Sequence, residues 1–118
     1  MLVRILQAKI RYATITEANP TYRGSITIDE DIMDEMNIVE WQVVSVNAMA
    51  EDQYGKGPFR GETYVIKGKR GTGEVCANGA LAYHLSRGDV VHINVYSMMD
   101  SESAKTHRPI IIEKNIVK

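Results

Sequence analysis

Several features that would assign this chain to a common protein class are missing from its sequence. Its 118 residues include one cysteine, Cys76, so an internal disulfide is excluded and a reducing compartment, the cytoplasm, is expected. No apolar run approaches the roughly 20 residues of a membrane-spanning helix. Arg4 and Lys9 interrupt the apolar start, which argues against a signal peptide. The net charge of −1 predicts neither a nucleic-acid-binding nor a membrane-binding surface.

Metal and phosphate sites have little support. The three histidines, His84, His92 and His107, lack the spacing of metal ligands, so no metal is expected. The glycines at 68, 71 and 73 fit no phosphate-binding pattern and predict a hairpin turn instead. Cys76 has no visible base partner, which favours a half-buried strand cysteine over a nucleophile.

The remaining pattern predicts one mainly β domain spanning residues 1–118. With one Trp and one Phe, the core is expected to consist of Val, Ile, Leu, Met and Tyr. Alternating, β-branched segments predict strands at 9–16, 25–28, 41–46, 62–67, 74–77, 90–96 and 109–113. Helices are predicted at 30–36, between Asp29 and Asn37 as caps, and at 79–86 after Asn78. Residues 48–59 are predicted to form a long loop. The number of short strands favours a closed β-barrel.

The dipeptide Gly24-Ser25 places a serine at the first rigid position after a flexible residue. Because Gly24 has no Cβ, the Ser25 hydroxyl can approach the Gly24 carbonyl carbon and shift that acyl group from nitrogen to oxygen. An ordinary turn that enters a strand explains the same two residues, and Gly-Ser alone favours it. Both interpretations stay open at this point.

Other candidates are equally ambiguous when each is taken alone. A helix is predicted to start at Asn78, Gly79 and Ala80. Its unpaired backbone N–H groups could bind a carboxylate or an oxyanion, but the same residues are also explained by ordinary helix capping. The Arg60 guanidinium could bind a carboxylate through two parallel hydrogen bonds, or Arg60 could simply be a surface arginine.

The order of these elements resembles the pyruvoyl-dependent aspartate 1-decarboxylase (aspartate alpha-decarboxylase) family. The resemblance runs over nearly the whole chain, and its most specific pieces are YRGSITIDED at 22–31 and EVCANGA at 74–80. It implies a double-psi β-barrel with two or three short helices, assembled as a homotetramer with active sites between subunits. It also implies an inactive precursor that cleaves itself between Gly24 and Ser25 into residues 1–24 (beta chain) and 25–118 (alpha chain).

The resemblance further implies a lyase whose cofactor is a pyruvoyl group derived from Ser25. L-Aspartate would condense with this group as a Schiff base, lose its α-carboxylate as CO2 and leave as β-alanine, a precursor of pantothenate and coenzyme A. Tyr64 would be the catalytic proton donor, and Asn78 would stabilise the enolate. The substrate-binding residues would be Thr63, Gly79, Ala80, Leu81, Arg60 and Lys9. Arg60 and Lys9 are expected to hold the retained carboxylate, since tight pairing with the departing one would slow the reaction.

Three features depart from the family pattern. Arg11 replaces the usual His, Leu81 replaces a small Ala, and the 48–59 loop is long, so substrate affinity and the placement of Arg60 are left open. Two alternatives follow: a β-barrel binding or structural module that never cleaves, or a self-processing decarboxylase with another amino-acid substrate. Maturation could be spontaneous or need a partner protein.

Overall fold

The structure, a computed structural model, describes residues 1–22, 24–49, 55 and 57–116. Its strands are β1 (Leu2–Thr14), β2 (Glu17–Asn19), β3 (Ser25–Asp29), β4 (Val43–Ala48), β5 (Phe59–Gly68), β6 (Val75–Asn78), β7 (Val90–Asp100) and β8 (Ile110–Glu113). The helices are α1 (Glu30–Met36), a 3₁₀ helix (Gly79–Tyr83) and α2 (Ser101–Ala104). The predicted mainly β class with short helices is therefore confirmed. None of the described helices is long and apolar enough to cross a membrane.

One eight-stranded sheet contains all of these strands, in the order β2-β6-β3-β5-β4-β7-β1-β8. Three neighbouring pairs are parallel, namely β1 with β8, β2 with β6 and β3 with β5, and the others are antiparallel. The Thr16 backbone N–H, just beyond β1, also donates to the Val75 carbonyl of β6 at 2.8 Å. The pairings of the described residues do not close the sheet, so the double-psi barrel stays a prediction.

β1 is much longer than the predicted strand 9–16, and the reason is irregular pairing. Its register against β7 shifts between Leu6 and Ala8 and again between Ile10 and Ala13. Each shift moves the following side chains to the other face, so strict alternation is lost although the strand continues. The strands predicted at 62–67 and 90–96 are likewise extended, and the ends of the predicted 48–59 loop belong to β4 and β5. Residues 50–54 and 56 of that loop lie outside the described residues.

The prediction of a hairpin turn at the glycines 68, 71 and 73 is wrong. β5 and β6 each pair with β3, so this loop passes over the end of β3 instead of joining two neighbours. The buried Asp29 carboxylate holds the loop there, accepting the Gly73 N–H at 2.8 Å and the Gly71 N–H at 3.3 Å. Arg70 adds ion pairs to three acidic side chains of α1, Glu30, Asp31 and Asp34.

α1 forms as predicted because its signals are local. Asp29 accepts the Asp31 N–H at 2.8 Å, and Asn37 ends the helix in the left-handed conformation at φ 57°. The second helix is shorter than the predicted 79–86, and the Asn78 side chain makes no capping bond to it. That side chain is directed across the sheet towards β3 instead, as described below.

The core beneath the sheet is aliphatic. It consists of buried Ile, Val, Ala, Met and Leu side chains from the strands, from α1 and from the segment after β6. Tyrosine was expected in this core, but the described tyrosines lie outside it. Tyr12, Tyr22 and Tyr83 are about half exposed or more. The core fixes β3 and β6 side by side, and these two strands carry the candidate site.

Candidate active site

Ser25 and Asn78 face each other across the antiparallel pair β3–β6. They are direct partners in the register, and both are buried, at 1% and 2% exposure. Asn78 Nδ2 donates to Ser25 Oγ at 3.0 Å and to Thr27 Oγ1 at 2.9 Å. A donor aimed at the serine oxygen stabilises negative charge that develops there, which is what an attacking hydroxyl requires.

Gly24 packs against Gly79 at the start of the 3₁₀ helix. Gly79 has φ +61°, and a Cβ added to it would lie 2.6 Å from Gly24 Cα and 2.7 Å from Gly24 N. Only glycine fits this contact, because any side chain would meet the backbone before the Gly24–Ser25 bond. The predicted turn before Ser25 is found at Pro20–Tyr22 and Gly24, while Arg23 lies outside the described residues.

A pocket of about 230 Å³ opens on the Gly24–Ser25 bond. Five predicted site residues besides Ser25 line it: Gly24, Thr63, Asn78, Ala80 and Leu81. Leu81 is buried at 8% exposure and occupies part of the pocket wall, where a small Ala is usual in the family pattern. Gly79 is not among these lining residues but packs against Gly24.

Three further residues line the same pocket, and the sequence did not indicate them. Phe59 stacks on His84 with ring centroids 4.6 Å apart and an interplanar angle of 13°. Glu62 belongs to β5 beside Thr63 and also lines the pocket. The sequence predicts Phe59 at the end of a loop, whereas it begins β5, and no local pattern connects positions 59 and 84. The pairing exists only because β5 and the 3₁₀ helix meet at this pocket.

Tyr64, Arg60 and Lys9 are described but are not among the residues that line this pocket. Tyr64 precedes the buried Val65 on β5, and its ring packs against Trp41 with centroids 5.8 Å apart. Since successive residues of a strand face opposite sides, Tyr64 and Thr63 diverge within one chain.

Arg60 is exposed on β5 and lines a neighbouring pocket with Met49 and Pro58, which shares Phe59 with the Ser25 pocket. Lys9 lies in the middle of β1, opposite Asn94 of β7 and Ile111 of β8. One chain therefore brings together the predicted cleavage-site residues but not the predicted proton donor and carboxylate-binding residues.

A second polar cluster surrounds His92 on β7. His92 Nδ1 accepts the Tyr12 backbone N–H at 3.4 Å, and the two rings meet edge to face at 4.7 Å. Burial lowers the pKa of His92, and the positive charges of Lys9 and Arg11 lower it further. Arg11 pairs with Glu113 at 3.3 Å, and both of these side chains are about half exposed.

Two titratable groups on the strands β3 and β6 have shifted pKa values. Burial raises the pKa of the Cys76 thiol, and Glu74 and Glu17 raise it further, so the sulfur carries its proton. Burial raises the pKa of Asp29, but the N–H groups of the loop and of α1 outweigh it, and the net pKa lies below 3.8. Within the described part of the chain, no three His, Cys, Asp or Glu side chains are placed to hold a metal ion.

Thr27 and Cys76 complete the polar face around Ser25, and a local signal could have indicated them. Thr27 follows Ser25 by two residues and Cys76 precedes Asn78 by two, so each shares a strand face with its neighbour. Cys76 lies in a strand as predicted but is more deeply buried, at 7% exposure. The arrangement can polarise Ser25 Oγ beside a tightly packed Gly24 and can admit a small molecule to the same position.

Comparison with known proteins shows which family the chain belongs to. The family model described as aspartate decarboxylase matches residues 1–117. Similar proteins include the aspartate 1-decarboxylases of Parabacteroides distasonis and Bacteroides thetaiotaomicron, each 44% identical over 112 residues, which are 95% of this chain and 91% of the relative. That of Caldicellulosiruptor saccharolyticus is 46% identical over 112 residues, 95% of this chain and 83% of the relative. With a match over almost its full length, the chain belongs to the aspartate decarboxylase family.

Proposed function

We propose that this chain is an aspartate 1-decarboxylase, a carboxy-lyase that cleaves itself between Gly24 and Ser25 and then converts L-aspartate to β-alanine and CO2. The observation that carries the proposal is the hydrogen bond of 3.0 Å from Asn78 Nδ2 to Ser25 Oγ, beside a Gly24 that packs directly on Gly79. Family membership over residues 1–117 supplies the reaction class. Through β-alanine the enzyme would supply pantothenate and coenzyme A synthesis.

Self-cleavage starts from Ser25 Oγ as the nucleophile. The bond from Oγ to the Gly24 carbonyl carbon forms, the peptide C–N bond breaks, and the hydroxyl proton passes to the released nitrogen. Loss of the Ser25 Cα proton and of the Cβ–Oγ bond then frees the Gly24 carboxylate and leaves dehydroalanine. Addition of water and release of ammonia convert this residue to a pyruvoyl group. Asn78 would stabilise the charge on Oγ during the first step.

The residues around Ser25 fit a pyruvoyl group. Asn78 places a buried amide donor at the start of β3, where an added carbonyl oxygen needs a partner. The pocket beside it is open to a small substrate and is lined by Thr63, Ala80 and Leu81. When formed, the group supplies an electron sink for decarboxylation.

A second copy of the chain would complete the site, because Tyr64, Arg60 and Lys9 do not line the Ser25 pocket of their own chain. Trp41 and Val43, next to Tyr64, are 66% and 54% exposed, which suits a face covered by another subunit. In the proposed homotetramer Tyr64 would donate the proton that replaces CO2. Arg60 and Lys9 would hold the retained carboxylate of aspartate. A maturation factor could assist cleavage, and the buried free thiol of Cys76 suits a reducing cytoplasm.

Intact mass spectrometry of the purified chain tests the proposal. We expect two fragments, residues 1–24 and 25–118, the larger one lighter by the mass of ammonia than the same fragment with an amino-terminal serine. Ser25→Ala should stay whole. Ser45→Ala, which removes another buried serine on β4, should cleave like the wild type. A wild type that stays whole, alone and with cell extract, would refute the enzyme and favour a non-processing binding module.

Substrate choice is tested separately on the cleaved protein. Release of CO2 from aspartate should exceed release from glutamate, because Leu81 occupies part of the pocket and leaves less room for a longer side chain. A preference for glutamate would leave self-cleavage intact and show that the substrate differs.

A further inference from the structure

The polar face of β3 and β6 holds a chain of hydrogen bonds that ends at Ser25. Ser25 is the direct partner of Asn78, and Thr27 is the direct partner of Cys76, so all four side chains share one face. Asn78 Nδ2 donates to the two hydroxyl oxygens at 3.0 and 2.9 Å. On its other side, Asn78 Oδ1 accepts from Cys76 Sγ at 3.1 Å. Both ends of the amide are therefore occupied.

We propose that Cys76 is a positioning residue for self-cleavage, because its thiol fixes the orientation of the Asn78 amide and thereby keeps the Nδ2 donor on Ser25 Oγ. The inference rests on the proposed self-cleavage and assigns a role to a residue outside the predicted site. Cys76 does not touch the reacting atoms and acts only through Asn78.

The orientation of the amide decides how it affects Ser25. In the observed orientation Nδ2 donates to Oγ and stabilises the negative charge that Oγ takes on as its proton leaves, before the bond to the Gly24 carbonyl carbon is complete. In the reversed orientation Asn78 Oδ1 would face Ser25 Oγ. An amide oxygen can only accept a hydrogen bond, so it would repel the negative charge on Oγ. The reversed NH2 group would then face sulfur, which is a weak acceptor. A thiol donor at position 76 therefore selects the productive orientation.

Burial makes this selection effective. Cys76, Asn78 and Ser25 are exposed by 7%, 2% and 1%, so little solvent competes for the amide. The thiol must keep its proton to donate, and burial raises its pKa in the direction that does so. Its other contact, 4.0 Å to the Ala77 carbonyl, is much longer than the 3.1 Å to Asn78.

The test compares two substitutions at one position. Cys76→Ala removes the donor, whereas Cys76→Ser replaces the thiol with a hydroxyl that can donate to the same oxygen. Each chain is made by cell-free translation with a pulse of label, and the fragment 25–118 is followed over time. We expect Cys76→Ala to slow cleavage about tenfold, the effect of losing one hydrogen bond. Cys76→Ser should stay within about threefold of the wild type.

Val75→Ala is the matched control for packing. Val75 is the fully buried neighbour on the opposite face of β6, so its truncation loosens the strand without touching the amide. It should lower the melting temperature at least as much as Cys76→Ala and leave the cleavage rate unchanged. If Cys76→Ala does not fold, Cys76→Val fills the site without a donor and takes its place.

Four outcomes would overturn the inference. Cleavage of the donor-free variant at the wild-type rate removes the role of Cys76 while the proposed function stands. Equal slowing of the Ala and Ser variants, or slowing by Val75→Ala, shows that packing and not the donor controls the rate. A wild type that never cleaves overturns the proposed function together with this inference.

Discussion

Substituting Gly79 by alanine tests whether the contact between Gly79 and Gly24 sets the geometry of self-cleavage. The new Cβ would lie 2.6 Å from Gly24 Cα, whereas ordinary contacts begin near 3.4 Å. The obstacle is backbone, which cannot rotate away as a side chain can. Gly24 must therefore retreat from Gly79 by about 1 Å.

The expected cost has a kinetic and a thermodynamic part. Displacing a reacting atom by about 1 Å reduces rates about a hundredfold, so Gly79→Ala should cleave about a hundred times more slowly. The left-handed backbone at φ +61° adds about 1–2 kcal/mol of destabilisation for a residue with a Cβ. The fraction of fragment 25–118 over time, by intact mass, measures the first effect, and urea unfolding measures the second.

Gly71→Ala separates these two effects. Gly71 has φ +78°, but a Cβ there would meet no atom within 4 Å. It should therefore lose similar stability and cleave at the wild-type rate. If Gly79→Ala cleaves as fast as Gly71→Ala, the close packing of Gly24 does not control the reaction and the reasoning fails.

Three further predictions concern binding and stability. Arg60→Ala should weaken aspartate binding about 10- to 100-fold, the effect of losing a charged hydrogen bond, and change the cleavage rate much less; titration calorimetry and intact mass measure the two. Asp29→Asn should destabilise the fold by about 1–3 kcal/mol at pH 7 in urea unfolding, because loop N–H groups lose a charged acceptor. The pKa of Asp29 in the folded state lies below 3.8, so the stability that its carboxylate contributes is lost as pH falls through that pKa. The Asp29→Asn variant should not show this loss of stability at low pH. The pKa of His92 is also depressed, below 6.5, so the folded state binds fewer protons and stability falls as pH drops from about 6.5; His92→Gln should flatten this slope in thermal scans.

Each of these predictions has an outcome that would contradict it. Arg87→Ala removes another exposed arginine and should leave aspartate binding unchanged; equal weakening by both arginine variants would point to general charge attraction. Asp100 caps α2 but is exposed, so Asp100→Asn should cost less than Asp29→Asn. Equal costs would contradict the importance of burial. An unchanged slope near pH 6 in His92→Gln would remove the assignment to His92.

Local signals predicted α1 correctly and placed a turn before Ser25. The cap pair Asp29 and Asn37 works through bonds to residues two to four positions away, which a sequence displays directly. The full length of β1 could not be predicted, because two register shifts against β7 disrupt the alternation. The hairpin prediction for the loop at 68–73 was wrong for a related reason. β3 lies between β5 and β6 in the sheet, and this pairing with a strand far away in the sequence leaves no local signal.

The candidate site divides in the same way. The residues themselves indicated the chemistry proposed for it: a serine after a glycine, an Asn-Gly pair at a helix start, and motifs specific enough to indicate the family. The fold, and not the local sequence, places Ser25 opposite Asn78, brings Phe59 and His84 into one wall of the pocket, and turns Tyr64 away from it. Residue types follow from the chain itself, whereas strand register and strand faces follow from pairing between segments that are distant in the chain, 53 residues apart for Ser25 and Asn78, held by one shared core.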